Sequence, residues 1–311
     1  MKIKRLFLEF GIIGLFGVCY FYMNSHFDRL SRYPYEYPEA RAKIDAKLND
    51  QEIEYLIEYS IAPVEFIKYI DAESFNIYHI DTYHEVSNAA YYLSDLEVVS
   101  FSEQILYLNK KEEALEMLKT YYYNEVLDWL YNGDVYNDSA ILVKNPDSIL
   151  TYLSDDYTIG KRVPYIISDI DYIKTNGELK GRELLREPMN VMCAALDEDL
   201  KMHNCGNIVV DRAFVSYQKQ EELYTSDSEY PCDLDMPGHS EHQLGLALDI
   251  KVANRANFTS TRQYTWLKEN AYKYGFIFSY DNRHNHLRYV GSDVSNRMHE
   301  YNTSFFQERY K

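Results

Sequence analysis

Apolar side chains recur at three- and four-residue spacing over residues 50–70, as in Ile53, Leu56 and Ile57, and over 111–131, as in Leu115, Leu118 and Tyr122. That spacing marks one face of a helix and predicts a small, mostly helical module over residues 27–141. Farther along, Met189, Met192, Cys193, Leu196 and Leu200 share one helix face. Pro188 suits its first turn, and the segment 204–207 around Gly206 ends it. A strand over 208–215 follows. A second helix is predicted over 261–274, closed by Gly275, and 276–280 with 286–290 form a hairpin across the turn at 281–284. Residues 142–311 therefore predict an α+β domain with a small antiparallel sheet and flanking helices.

The first residues follow a different pattern. Lys2, Lys4 and Arg5 precede an apolar run over 6–23 interrupted only by Glu9. Basic residues ahead of such a run are expected to stay cytoplasmic, and a span of this length is at the short limit for crossing a bilayer. Residues 1–26 are thus expected to be a stub and an uncleaved membrane anchor, with the bulk of the chain extracytoplasmic; a buried N-terminal helix is the alternative. The Tyr-Pro-Tyr-Glu-Tyr-Pro stretch at 33–38 breaks helix and reads as a juxtamembrane linker.

Composition narrows the partners. The 311 residues carry 49 acidic and 32 basic side chains, a formal charge of −17. Such a surface repels phosphate backbones, so nucleic acid is not an expected partner. The four cysteines, Cys19, Cys193, Cys205 and Cys232, contain no CxxC pair, which excludes a zinc ribbon or a thioredoxin-like site. One disulfide among the last three, or buried thiols, remain open.

Four of the nine histidines fall between positions 239 and 286. Leu244, Leu246, Leu248 and Ile250 alternate with Gly245, Ala247 and Asp249, so an extended strand sends the bulk into the core and leaves Asp249 on a face of small residues. His242 just before that strand and His286 on a neighbour can close on the same point. Two imidazoles and one carboxylate with a position left for water are a catalytic-type zinc set. Ser240 serves equally as a turn or capping hydroxyl, and Glu241 and His239 read as solvated loop residues.

The pattern Ser240-x-His242-x6-Asp249, followed by His286-Leu-Arg-Tyr-Val-Gly291 and flanked by Pro-Gly-His-Ser-Glu-His and Gly-Leu-Ala-Leu-Asp-Ile, resembles the zinc D-alanyl-D-alanine carboxypeptidases of the VanY type. The likeness runs from about residue 142 to the C-terminus. It implies His242, Asp249 and His286 as zinc ligands, with Ser240, Tyr217 and Gln220 near the substrate, which would be a peptidoglycan stem peptide cut between two D-alanines. Two positions depart from the family. Its general acid–base glutamate, three residues before the last histidine ligand, is replaced by Arg283, which stays protonated and cannot carry the proton. Its substrate arginine aligns with Val215, and Arg212, three residues earlier, is expected on the opposite strand face. His284 shares the face of His286 if the strand is extended there, which makes it the candidate proton carrier. An active zinc carboxypeptidase and a pseudoenzyme that binds cell-wall peptide or a protein partner are the two functions implied.

Overall fold

The computed structural model describes residues 14–20, 28–164, 166–226 and 234–308, and the chain divides into two compact units, Met1–Leu115 and Glu116–Lys311. This division falls earlier than the boundary expected at 141. Residues 14–20 are helical, and among the described residues no helix is long and apolar enough to cross a membrane. The greater part of the expected anchor, 6–23, lies outside the described residues.

The first unit is helical, as its periodicity predicts: α1 (Pro38–Lys47), α2 (Asp50–Glu58), α3 (Ile80–Ala89) and α4 (Asp95–Tyr107). Two starts are fixed by reciprocal caps. The Asn49 side chain accepts from the Glu52 amide while Glu52 accepts from the Asn49 amide, and Ser94 and Glu97 repeat the arrangement. Each such cap satisfies donors that the first helical turn leaves open. The expected linker is part of this unit instead. Tyr33 is buried and donates its hydroxyl to Ile61 O at 2.7 Å, because a ring that finds both an apolar wall and an acceptor gains more by packing than by solvation.

The second unit contains α5 (Tyr123–Asn132), α6 (Arg186–Leu200), α7 (Tyr217–Ser226), α8 (Arg262–Asn270) and α9 (Ser292–Tyr301). Its main sheet has strands β1 (Ile208–Arg212), β2 (Ala247–Val252), β3 (Phe276–Ile277) and β4 (His286–Tyr289), in the order β1-β2-β4-β3. All neighbours run antiparallel. Met189, Met192 and Leu196 of α6 pack with Val210, Leu248, Ile250 and Leu287 in one buried core. Burying each such side chain contributes about 1.5–3 kcal/mol, and this layer holds the sheet still beneath its polar face. Cys193 and Cys205 are joined in a disulfide that ties α6 to the turn before β1; Cys232 lies outside the described residues.

Two elements differ from the expected ones in ways that shape the site. The extended segment expected from Leu244 is first a 3-10 turn, Glu241–Leu244, and becomes strand only at Ala247. Gly245 makes the switch possible: its φ is +66°, and a Cβ there would stand 2.6 Å from the Ile167 side chain. The strand expected to reach Val215 stops at Arg212, after a bulge between Val210 and Arg212. Beyond it, the Phe214 amide donates to Lys180 O and the Val215 amide to His242 O, so those backbone groups leave the ladder for other partners.

Candidate metal centre

Each donor is fixed by a different piece of backbone. His242 sits on the 3-10 turn, whose start is capped by Ser240 Oγ accepting from the His242 amide at 3.3 Å. Asp249 lies in the middle of β2, and His286 opens β4 directly across from it. Cross-strand partners share a face of the sheet, so the carboxylate and the imidazole meet by register alone. His286 Nδ1 lies 2.8 Å from Asp249 Oδ1, and His242 Nε2 lies 3.1 Å from Asp249 Oδ2. The two imidazole rings stand 4.9 Å apart at 86°. One donor atom from each residue falls within 4.8 Å of the others, which makes this a group able to hold a metal ion.

The charges match that geometry. Burial alone would raise the Asp249 carboxyl, but its bonds to both imidazoles outweigh it and hold the group far below the ordinary range. Burial would lower His286; bonds to Asp249 and Glu241 raise it instead to about 9. His242 is pushed down by burial, which Asp249 only partly offsets. Without a cation, a protonated His286 and a neutral His242 therefore share one carboxylate. A divalent ion held here would take the place of the proton as the positive partner, and nitrogen and oxygen donors of this kind suit zinc.

Glu241 is the residue that the sequence misjudged most. It is buried, not solvated. Its Oε2 accepts from His286 Nε2 at 3.0 Å and from Ser279 Oγ at 2.6 Å, and its Oε1 faces Arg288 Nε at 3.5 Å. A carboxylate on the remote nitrogen of a ligating imidazole keeps the proton on Nε2 and leaves the Nδ1 lone pair free, which fixes ring orientation and raises basicity. The signal was present in the sequence. Strand alternation puts Arg288 on the face of His286, and a guanidinium buried there needs a counter-charge. Arg288 is fully buried and also donates to the carbonyls of Ile149, Thr151 and Tyr289. His239 is likewise buried, held between Ser154 O at 2.6 Å and Asp134 Oδ2 at 3.1 Å. Both of its nitrogens face acceptors; burial opposes the charged form, but these partners raise the group above its ordinary value.

The other sequence-predicted residues separate. Arg283, in the position of the family glutamate, pairs with Asp235 at 2.9 Å and lies over the Tyr280 ring at 4.4 Å. Arg212 does not face away from the centre. The bulge brings it opposite Asp249, and its Nη2 donates to Gln220 Oε1 at 2.6 Å. Gln220 in turn donates to Asp235 O at 2.6 Å, so it braces the rim. Tyr217 is buried beneath Lys161, whose ammonium is 5.8 Å from its ring, and faces the charges of Asp128, Asp134 and Glu221 rather than the histidines. His284 is exposed in a turn closed by the His286 amide donating to Arg283 O, with its ring edge-on to Tyr264 at 6.0 Å. The strand on which it was placed begins only at His286. A cavity of about 380 Å³, lined by Tyr152, Asp155, Asp235, Glu241 and Tyr280 among others, opens beside the centre.

Residues 182–293 match the family model described as VanY: D-alanyl-D-alanine carboxypeptidase. The chain is 27% identical over 184 residues to the putative carboxypeptidase YodJ of Bacillus subtilis, covering 51% of this chain and 66% of that protein. It is 40% identical over 74 residues to a D-alanyl-D-alanine carboxypeptidase of Enterococcus faecalis, covering 21% of this chain and 27% of that one. Each of these matches spans less than two thirds of the relative's own length. Among solved structures, the LdcB LD-carboxypeptidase aligns at a TM-score of 0.49 and 23% identity, over 56% of this chain and 91% of that one. The part of the chain that carries the histidines and Asp249 thus matches the family-model domain described as VanY: D-alanyl-D-alanine carboxypeptidase.

Proposed function

We propose that the second unit is a zinc-dependent, D-alanyl-D-alanine carboxypeptidase-like centre that takes the ends of peptidoglycan stem peptides outside the membrane. The observation that carries this is the convergence of His242, Asp249 and His286, with Glu241 fixing the third donor from behind. A divalent cation held there would supply Lewis acidity to the scissile carbonyl and to a water beside it. The chain's own residues do the rest: Glu241 holds the proton on His286 Nε2, Asp249 receives both imidazoles, and the core under β2 and β4 keeps the distances fixed. Two features support an extracytoplasmic place: the Cys193–Cys205 disulfide, which persists in oxidising compartments, and the basic residues before the apolar run 6–23. The same run is proposed as the membrane anchor.

A second reading is binding without appreciable turnover, and Arg283 favours it. Glu241 is spent on His286, Ser279 and Arg288, and Asp235 is spent on Arg283. No carboxylate among these is left to take a proton from water and deliver it to the leaving amine. Release of D-alanine from a pentapeptide ending in D-alanyl-D-alanine, by the zinc-loaded full chain before and after chelation, tests both. Release lost on chelation selects hydrolysis. Zinc-dependent binding without release selects the binding module, and a full chain that retains no stoichiometric metal ends both readings.

A further inference from the structure

The turn between α6 and β1 is held in a conformation that one of its residues resists. Asn204, Cys205, Gly206 and Asn207 follow one another at φ of +56°, +55°, +60° and +61°. Glycine enters that region freely and asparagine readily, but other residues with a Cβ do not. Cys205 is thus the strained member, and its bond to Cys193 is the covalent hold on it. Asp197 lies one helical turn beyond Cys193 on the same face of α6. Its two carboxylate oxygens accept from the Cys205 amide at 2.9 Å and the Gly206 amide at 2.6 Å. β1 begins directly after the turn, and the Ala253 amide, just past the end of β2, donates to Asn207 O at 3.0 Å. The turn therefore fixes where β1 starts along β2, and through that register it sets Arg212 opposite Asp249.

The disulfide is also within reach. Cys193 is half-buried, and with Cys205, Asn204, Asn207 and Lys174 it lines a cavity of about 530 Å³. Asp171 on the same wall is paired with Arg186 at 2.5 Å, so the Lys174 ammonium is the charge that favours a thiolate there. Strained, accessible disulfides are the ones that exchange. We propose that Cys193–Cys205 is a thiol–disulfide exchange site, and that a dithiol reductant entering by this cavity unlocks β1. The incoming thiolate attacks Sγ of Cys193; the S–S bond breaks and Cys205 leaves as a thiolate that takes up a proton. The second thiol of the reductant then displaces Cys193 from the mixed disulfide. The protein gains two electrons and two protons, and the reductant becomes a disulfide. Once free, Cys205 returns to negative φ, its peptide plane turns, and the amides held by Asp197 lose their acceptor. β1 then loosens from its Ile208 end. The site does not depend on the metal reading.

Graded dithiothreitol added to the folded full chain, followed by alkylation and mass mapping of Cys193 and Cys205, tests the site. Thiol appears at a rate proportional to dithiol concentration and no slower than about a tenth of the rate in the urea-unfolded chain. A rate independent of dithiol, set by unfolding of the whole domain, overturns the exchange site. Hydrogen exchange then reads the consequence. In the reduced chain the amides of 205–210 exchange at least about tenfold faster, while those of 286–289 keep their rate. Unchanged exchange over 205–210 after complete reduction overturns the lock, and so does an equal acceleration over 286–289, which is general unfolding. The double variant C193S/C205S, with no dithiol present, exchanges as the reduced parent does; protection equal to that of the oxidised parent overturns the lock by a second route. The measurements on the parent need no variant to fold.

Discussion

The floor and the rim of the metal centre are built to different rules. On the floor, His242, His286, Glu241 and Arg288 are all within 3% of complete burial, and each charge meets its opposite. Removing any one of them strands another in a poorly solvated place, so the floor tolerates little. The rim, made by Arg212, Arg283 and Asp235, is only partly buried, with the Arg283 and Asp235 side chains 26% and 13% exposed, so a change of charge there is less costly than one on the floor. On the proposed function, the floor would decide whether a cation is held, and the rim what becomes of the ligand and its proton. A centre can keep its ion while its chemistry changes.

The sharpest way to break that separation is to put the carboxylate back. R283E, combined with D235N so that two carboxylates do not face each other, is expected to raise D-alanine release by roughly 10²–10⁴-fold, the usual worth of a positioned acid–base group. Zinc content should not change. If the loaded double variant releases no more than the parent, the rim is not what limits turnover and the comparison fails.

Proton linkage probes the floor on a somewhat smaller scale. His286 is raised from 6.5 to about 9 by Asp249 and Glu241. The stabilisation from its charged form is complete below pH 6.5 and is lost as pH rises through about 9. The metal-free protein is therefore expected to unfold at lower temperature at pH 9.5 than at pH 6.5. A cation needs the Nδ1 lone pair, so its binding displaces that proton and its apparent affinity climbs by up to about tenfold per pH unit below pH 9. Zinc titrations at several pH values, with buffers of different ionisation heat, read the released proton directly. A flat profile would mean that His286 is already neutral in the free protein.

E241Q then isolates the support behind His286. The amide keeps the shape but loses the charge, and zinc affinity is expected to fall about 10–100-fold, as for other partners of ligating imidazoles. Competition with a chromophoric chelator measures it. Unchanged affinity would reduce Glu241 to a counter-ion for Arg288.

Legibility in the sequence followed the same line between floor and rim. The meeting of Asp249 and His286 was readable because their positions depend on period-two alternation and strand pairing, and His242 lies just ahead of that strand. The hairpin that carries His286 was readable for the same reason, although its first strand covers only Phe276–Ile277 of the expected 276–280, with Phe276 paired to Tyr289. Glu241 was missed because a 3-10 turn, invisible to periodicity, rolls it inward beside His242. Arg212 was misplaced because a single bulge inverts the face of everything beyond it. The disulfide could not be assigned because three cysteines allow several pairings, and only the fold brings Cys193 and Cys205 within 4.5 Å between Cα atoms. Tyr33 was read as linker because prolines advertise a break in helix but say nothing of what packs afterwards.

The smallest expected effect comes from His284, and its smallness is informative. Two residues before a ligand, an imidazole would share its face in an extended chain and could carry the proton that Arg283 cannot. Here the chain is folded back: the His286 amide donates to Arg283 O at 3.1 Å, and the His284 ring, exposed, leans on Tyr264. H284A is therefore expected to change zinc content not at all and peptide binding or D-alanine release by less than about twofold, as for surface substitutions remote from any buried partner. A tenfold loss of release at unchanged binding would require this turn to open into the centre during turnover. The rim would then have a proton carrier after all, and the substitution at position 283 would no longer explain a slow or silent enzyme.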